Sequence, residues 1–276
     1  MAARNNKQVG IEVPEIEHRT ATFIVVGETP LIFNALSEKA KRELLFPLGK
    51  KTQAQKKTSL KHNPITEYRN SVYLSNEDMP AALTFPATGF KKGMAEAALN
   101  IPGATKKDIG KLVRVHGYHI GIYGVPQLFM TGVRSADMNR TPDIRTRAIL
   151  PQWACAVEVS WVHPFLTLQT VTNLFSAAGS FIGLGDGRQE KGAFDFGLYR
   201  LTKTDDAEYR EIVAAGGREE QLLALKDPKF YDAQSQELFE WFEDEAKRRG
   251  VDLETGSFVA DDEGEVVKTT TKAKKK

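Results

Sequence analysis

Thr167 to Leu201 reads TLQTVTNLFSAAGSFIGLGDGRQEKGAFDFGLYRL, and its three parts decide how the rest of the chain is read. Leu168, Val171, Leu174 and Phe175 recur at i, i+3, i+6 and i+7, which places one apolar stripe on a helix. Ala177, Ala178 and Gly179 shorten the side chains where that helix ends. Gly183, Gly185, Gly187, Gly192 and Gly197 then alternate with Asp186, Arg188 and Lys191, and Ala193 to Leu201 closes the stretch with the alternation of a strand.

A glycine-dense loop lets backbone N–H groups approach an oxygen-rich ligand, because no Cβ blocks the way and positive φ is allowed. Arg188 and Lys191 supply the charge a phosphate needs. A long hairpin whose glycines only make turns fits the same composition. Two phosphate motifs are excluded. No G-x-x-x-x-G-K-[ST] run occurs, and the G-x-G-x-x-G fingerprint fails because Arg188 stands where its third glycine belongs and a helix precedes the loop.

Helix, G-x-G-x-G-[RK]-x-x-[KR]-G loop and short aromatic strand together resemble the glycine-rich signature of RAMP-superfamily proteins, the RNA-recognition-like subunits of CRISPR antiviral-defence complexes. Gly183, Gly185, Gly187, Arg188, Lys191, Gly192, Phe196 and Gly197 carry the resemblance. It implies an α+β fold: a ferredoxin-like (RRM-like) antiparallel sheet with helices on one face. It also implies a backbone subunit that oligomerises along RNA.

Working outward, PQWACAVEVSWVHP (151–164) is a strand in which Trp153, Cys155, Val157, Val159 and Trp161 share one buried face. With the stretch that follows it gives the strand, helix, loop and strand of half a βαββαβ unit. TATFIVV (20–26) is the opening strand. Ser37 caps a short helix ended by Pro47, and Pro86 starts another whose buried side is Phe90, Met94, Ala97 and Ala98. Either helix fits the place after the first strand. Tyr118 to Val133 alternates like strands with turns at Gly124 and Pro126. The expected organisation is an arm over 1–17, a core over 18–202 with a basic insertion at 48–73, a helical appendage over 203–250 and a disordered basic tail over 251–276.

The cations are clustered locally, because the formal net charge is only +2. Lys50, Lys51, Lys56, Lys57 and Lys61 lie in the insertion with Arg69, against the single acid Glu67 and with almost nothing apolar to bury. Arg134, Arg140, Arg145 and Arg147 lie in a polar, turn-rich run, and arginine's planar fork suits bidentate phosphate contact. The five lysines and Arg134, Arg140, Arg145 and Arg147, with Gly183, Gly185, Gly187, Arg188 and Lys191, are the candidate nucleic-acid-binding set. They define a groove for single-stranded RNA or DNA in a homo-oligomer or multi-subunit ribonucleoprotein.

Catalytic motifs, a metal site and a cofactor are not expected. His116 and His119 fall on opposite faces of an expected strand, and Asp186 and Asp195 read as turn formers. The lone Cys155 sits in an apolar strand, and no run approaches the roughly 18 apolar residues that span a bilayer. A cytoplasmic protein is the expectation. Two alternatives stay open: a metal-independent endoribonuclease of the guide-processing type, in which the resemblance implies a histidine such as His18, and a virion or scaffold assembly protein.

Overall fold

The computed structural model describes residues 15–46, 60–76, 78–134, 141–191 and 194–253. It is an α+β protein with eight α-helices among those residues and three antiparallel sheets. The central sheet has four strands in the order β10-β1-β9-β5, formed by Tyr199–Thr202, Glu17–Gly27, Ala154–His163 and Val113–Val115. Register pairs Val25 with Cys155 and Phe23 with Val157. Cys155, Val157, Val159 and Trp161 are buried, while Ala156 and Glu158 between them are exposed. The period of two in the sequence therefore corresponds to one core face.

Two helices cover that face. Helix α3 (Ala87–Ala97) follows β1 at a distance and α5 (Leu168–Phe181) follows β9 directly. Phe90 and Met94 of α3 meet Val171, Leu174, Phe175 and Ala178 of α5 in one core. The Phe175 ring lies edge-on to Phe23, Phe90 and Tyr199, with centroids 5.4, 6.0 and 5.6 Å away. Each such pair contributes about 1 kcal/mol beyond its buried area. Gly179 sits where a Cβ would come 2.1 Å from the Tyr199 carbonyl oxygen, so α5 and β10 approach at a distance only glycine allows. Leu168, expected on the stripe, is instead 53% exposed.

The long connections build the other sheets. β2 (Leu31–Ile32), β8 (Pro142–Leu150) and β7 (Gln127–Arg134) form one, in that order. β3 (Tyr73–Leu74), β4 (Leu83–Pro86) and β6 (His119–Gly121) form the other. Helices α1 (Glu38–Leu45), α2 (Pro64–Asn70) and α4 (Lys106–Leu112) lie in these connections. α1 is capped by Ser37, whose hydroxyl accepts from the Ala40 amide at 3.2 Å. In α2, Pro64 and Tyr68 are buried and the Tyr68 hydroxyl donates to the Ala224 carbonyl. The expectation that 48–73 has almost nothing to bury is thus corrected over its second half.

Helices α6 (Ala207–Ala215), α7 (Arg218–Lys226) and α8 (Ala233–Arg248) make up the C-terminal layer. Ile212 of α6 packs with Val26 and Ala154 on the sheet face opposite the main core. Gln221 of α7 is fully buried. Its oxygen accepts from the Ala82 and Leu83 amides, and its nitrogen donates to the Ile122, Gly124 and Gly216 carbonyls. The Met130 amide donates to the Ser235 hydroxyl of α8 at 2.9 Å. One side chain in each of α7 and α8 therefore completes the hydrogen bonding of strand or loop backbone that would otherwise be buried unpaired.

Candidate nucleic-acid interface

Arg134 to Arg147, expected as a loop, is in its described part a pair of strands. β7 ends at Arg134, β8 begins at Pro142, and the register pairs Thr131 with Arg145 and Phe129 with Arg147. A strand turns alternate side chains to opposite faces, so Asp143, Arg145 and Arg147 share one face of β8. Arg134 is paired with Pro142 and belongs to the other. The hairpin therefore brings together two of the expected arginines and separates the third.

That face of β8 closes one side of a cleft of about 810 Å3, whose opposite wall comes from α1, α2 and the segment before α2. Lys61, His62, Glu67, Asn70, Arg145 and Arg147 are among its lining residues. His62 is held at both ring nitrogens. Nδ1 lies 2.8 Å from a Glu67 carboxylate oxygen and Nε2 lies 3.0 Å from an Asp143 oxygen. The Glu67 hydrogen bond, helped by the charges of both carboxylates, raises the imidazole pKa above its usual value against the opposing effect of burial. Asp143 also pairs with Lys61, and this contact first and His62 second hold its carboxyl below the ordinary range.

At the base of the hairpin Arg147 is 9% exposed and pairs with Asp186 of the glycine loop. Burial pulls the guanidinium pKa down, and Asp186 opposes that shift. Arg188 pairs with Glu190 at 3.1 Å, and its Nε is buried without a hydrogen-bond partner. Lys61, Arg147 and Arg188 are therefore each matched by a carboxylate. Arg145 and Arg134 are exposed and have no ion-pair partner among the described residues.

The glycine loop departs from its expected use. Gly183, Gly185, Gly187 and Gly197 all have positive φ. Several of its amides are bonded to the chain's own backbone: Gly183 donates to Ala178, Leu184 to Gly197, Asp186 to Ile32, and Gly197 to Pro30. A Cβ on Gly185 would come 2.5 Å from the Ile32 oxygen, and one on Gly197 would come 1.8 Å from the Leu184 oxygen. These glycines seat the loop against the turn between β1 and β2, the turn-making role left open above. Strand β10 begins at Tyr199, so the part of the alternation described before it, 194–198, is irregular chain with an Arg188–Phe196 bridge, and Ala193 lies outside the described residues.

Lys50, Lys51, Lys56, Lys57 and Arg140 lie outside the described residues, as does the side chain of Lys191. His18 is exposed on β1 opposite Val162. His119 Nδ1 lies 3.1 Å from the Thr84 hydroxyl, and no group of His, Cys, Asp or Glu among the described residues fits a metal ion. Burial pushes the Cys155 thiol pKa far up, which leaves the group protonated and unreactive at neutral pH. No helix among the described residues is long and apolar enough to cross a membrane.

Sequence reasoning passed over His62 and read Asp186 as a turn former. A signal existed for the first: Asn63-Pro64 followed by Glu67 marks a helix start, with a histidine just before the cap. None existed for the second, because its partner is 39 positions away, as the numbers of Arg147 and Asp186 show. No protein-family model matches the chain, and no curated protein matches it.

Proposed function

We propose that this chain binds single-stranded nucleic acid through its phosphates, without base readout, as a non-catalytic backbone subunit built on a ferredoxin-like, RAMP-like core. The strand order supports the fold: in core sequence order β1, β5, β9 and β10 stand as fourth-first-third-second, with α3 and α5 following the first and third. The observation that carries the binding reading is Arg145, exposed on the cleft-lining face of β8 with no carboxylate partner among the described residues. The outer sheet face argues against stacked bases. Strand alternation gives it Thr20, Thr22, Ala156, Glu158 and Arg114, with no Phe, Tyr or Trp.

Fluorescence anisotropy with a labelled oligo-U and an oligo-dT tests this. Arg145→Glu weakens binding at least tenfold on both strands, whereas equal affinity for the variant and the wild type removes the site.

One observation favours the assembly-scaffold alternative. Lys61 and Arg147 tie separate segments of the same chain together through Asp143 and Asp186, as a structural role requires. Purified protein free of nucleic acid, with assembly unchanged in Arg145→Glu, selects that reading. For the nuclease alternative the candidate histidine is His18, exposed on β1, and cleavage of structured RNA without added metal that is lost in His18→Ala selects that reading.

A further inference from the structure

His62 joins the two walls of the cleft. Its Nδ1 lies 2.8 Å from the Glu67 carboxylate of α2, and its Nε2 lies 3.0 Å from Asp143 Oδ1 on β8. The neighbouring Lys61 ammonium donates to the same Asp143 oxygen. Two consecutive residues thus strap the start of α2 to β8, and Arg145 stands two positions along the same strand face. A charged imidazole has an N–H for each carboxylate, whereas a neutral ring has one N–H and turns a lone pair toward the other carboxylate. Loss of one proton therefore removes a hydrogen bond and a positive charge together. With the ring charged, two cations balance two carboxylates in the strap; with the ring neutral, one carboxylate is in excess.

Arg145, Arg147, Glu43 and Tyr73 face the cleft around the strap, and Arg134 lines the recess on its other side. Asp252 adjoins Leu253, whose carbonyl accepts from the Asn63 amide beside His62. Arg147 is committed to Asp186, and burial moves the Tyr73 phenol further from neutrality. Ordinary carboxylates, lysines and arginines also change charge far from neutrality, which leaves the imidazole as the group of this set that titrates between about pH 6 and 8. The Glu67 hydrogen bond and the charges of both carboxylates favour the charged ring, and they outweigh burial.

We propose that Lys61 and His62 form a proton-operated latch on phosphate binding: the charged ring holds the strap against β8 and spares Arg145 for a phosphate, and the neutral ring releases it. In the released state Asp143, on the strand face it shares with Arg145, has its charge less fully met and competes with the phosphate for the guanidinium. Affinity for a polyanion is therefore higher in mildly acidic solution and lower in mildly alkaline solution. The inference adds regulation to the cleft of the proposed function and rests on that reading.

The test is oligo-dT anisotropy with the full-length protein at constant low salt. Wild-type affinity falls by about three- to tenfold as pH rises from about 6 to 8, the effect of one charge near the phosphate. His62→Gln, whose amide carries no titrating proton, binds with an affinity that no longer depends on pH. Wild type alone supplies a second readout by reciprocity: saturating oligo-dT raises the His62 pKa followed by NMR of the imidazole. Binding that needs Arg145 but is flat with pH overturns the latch and leaves the phosphate-binding reading standing. Unaltered pH dependence in His62→Gln, or a His62 pKa that oligo-dT does not move, does the same. Absence of Arg145-dependent binding at every pH removes both.

Discussion

Arg147 is the residue on which the two halves of the site meet. Its guanidinium is almost wholly buried and its partner Asp186 is about a third exposed. Removing the carboxylate leaves a buried charge uncompensated, whereas replacing both partners removes the problem along with the contact. Asp186→Ala is expected to cost about 2–3 kcal/mol in urea denaturation, and Arg147→Met with Asp186→Ala to recover most of it. The titration of His62 works on the other side of the cleft. Its folded pKa is raised, so its contribution to stability is fully present below the unfolded value near 6.5 and is lost as pH rises through the folded pKa. Asp143 acts in the opposite sense: its pKa is lowered, and its contribution is lost as pH falls below about 3.8. Amide hydrogen exchange in α2 and the outer half of β8 should therefore be slowest in mildly acidic solution and quicken as pH rises above neutrality, after correction for intrinsic rates. His62→Ala should flatten that pH dependence.

Among the elements, the glycine loop illustrates how far sequence carries. Positive φ at Gly183, Gly185, Gly187 and Gly197 was legible as a need for glycine, but its cause was not. The crowding atoms are the carbonyl oxygens of Phe196, Ile32 and Leu184 for Gly183, Gly185 and Gly197, and the Phe196 ring for Gly187, and loop density says nothing about such partners. Gly197→Ala is expected to destabilise by several kcal/mol, about 3 or more, since the new Cβ meets backbone that cannot yield and the conformation is left-handed. A thermal melt reads this directly. By contrast, β9 and the buried side of α3 were legible residue by residue, because period and burial are local consequences of one buried face. The hairpin arginines misled because charge masks the pattern: Arg145 and Arg147 occupy strand positions that an alternation of apolar and polar residues would have revealed.

Across the whole molecule the C-terminal helices are joined to the sheets through buried polar side chains. Gln221 serves five backbone groups that span β4, the segment after β6 and the start of α7. Gln221→Leu, close in size but unable to bond, should cost about 3 kcal/mol or more, because several buried groups lose their partner at once. If the variant unfolds in one transition with a lower midpoint, the C-terminal layer and the sheets are a single cooperative unit. The same layer carries the exposed carboxylates Glu237, Glu240 and Asp244 of α8, while Arg145 is exposed on β8, so the small net charge of +2 conceals opposed surfaces. A protein arranged in this way can present cations to a polyanion while carboxylates on another surface remain free for a different contact.

The central claim is that exposed cations, with Arg145 foremost, hold a sugar-phosphate chain without reading its bases. The most direct test is the observed association constant for oligo-U and oligo-dT between 50 and 200 mM salt. Each neutralised phosphate of a single strand contributes about −0.7 to the slope of log K against log salt. The account predicts a steep linear fall, similar for both strands, with Arg145→Ala making the slope shallower by about 0.7. A flat salt dependence, or an Arg145→Ala slope equal to that of wild type, would contradict it.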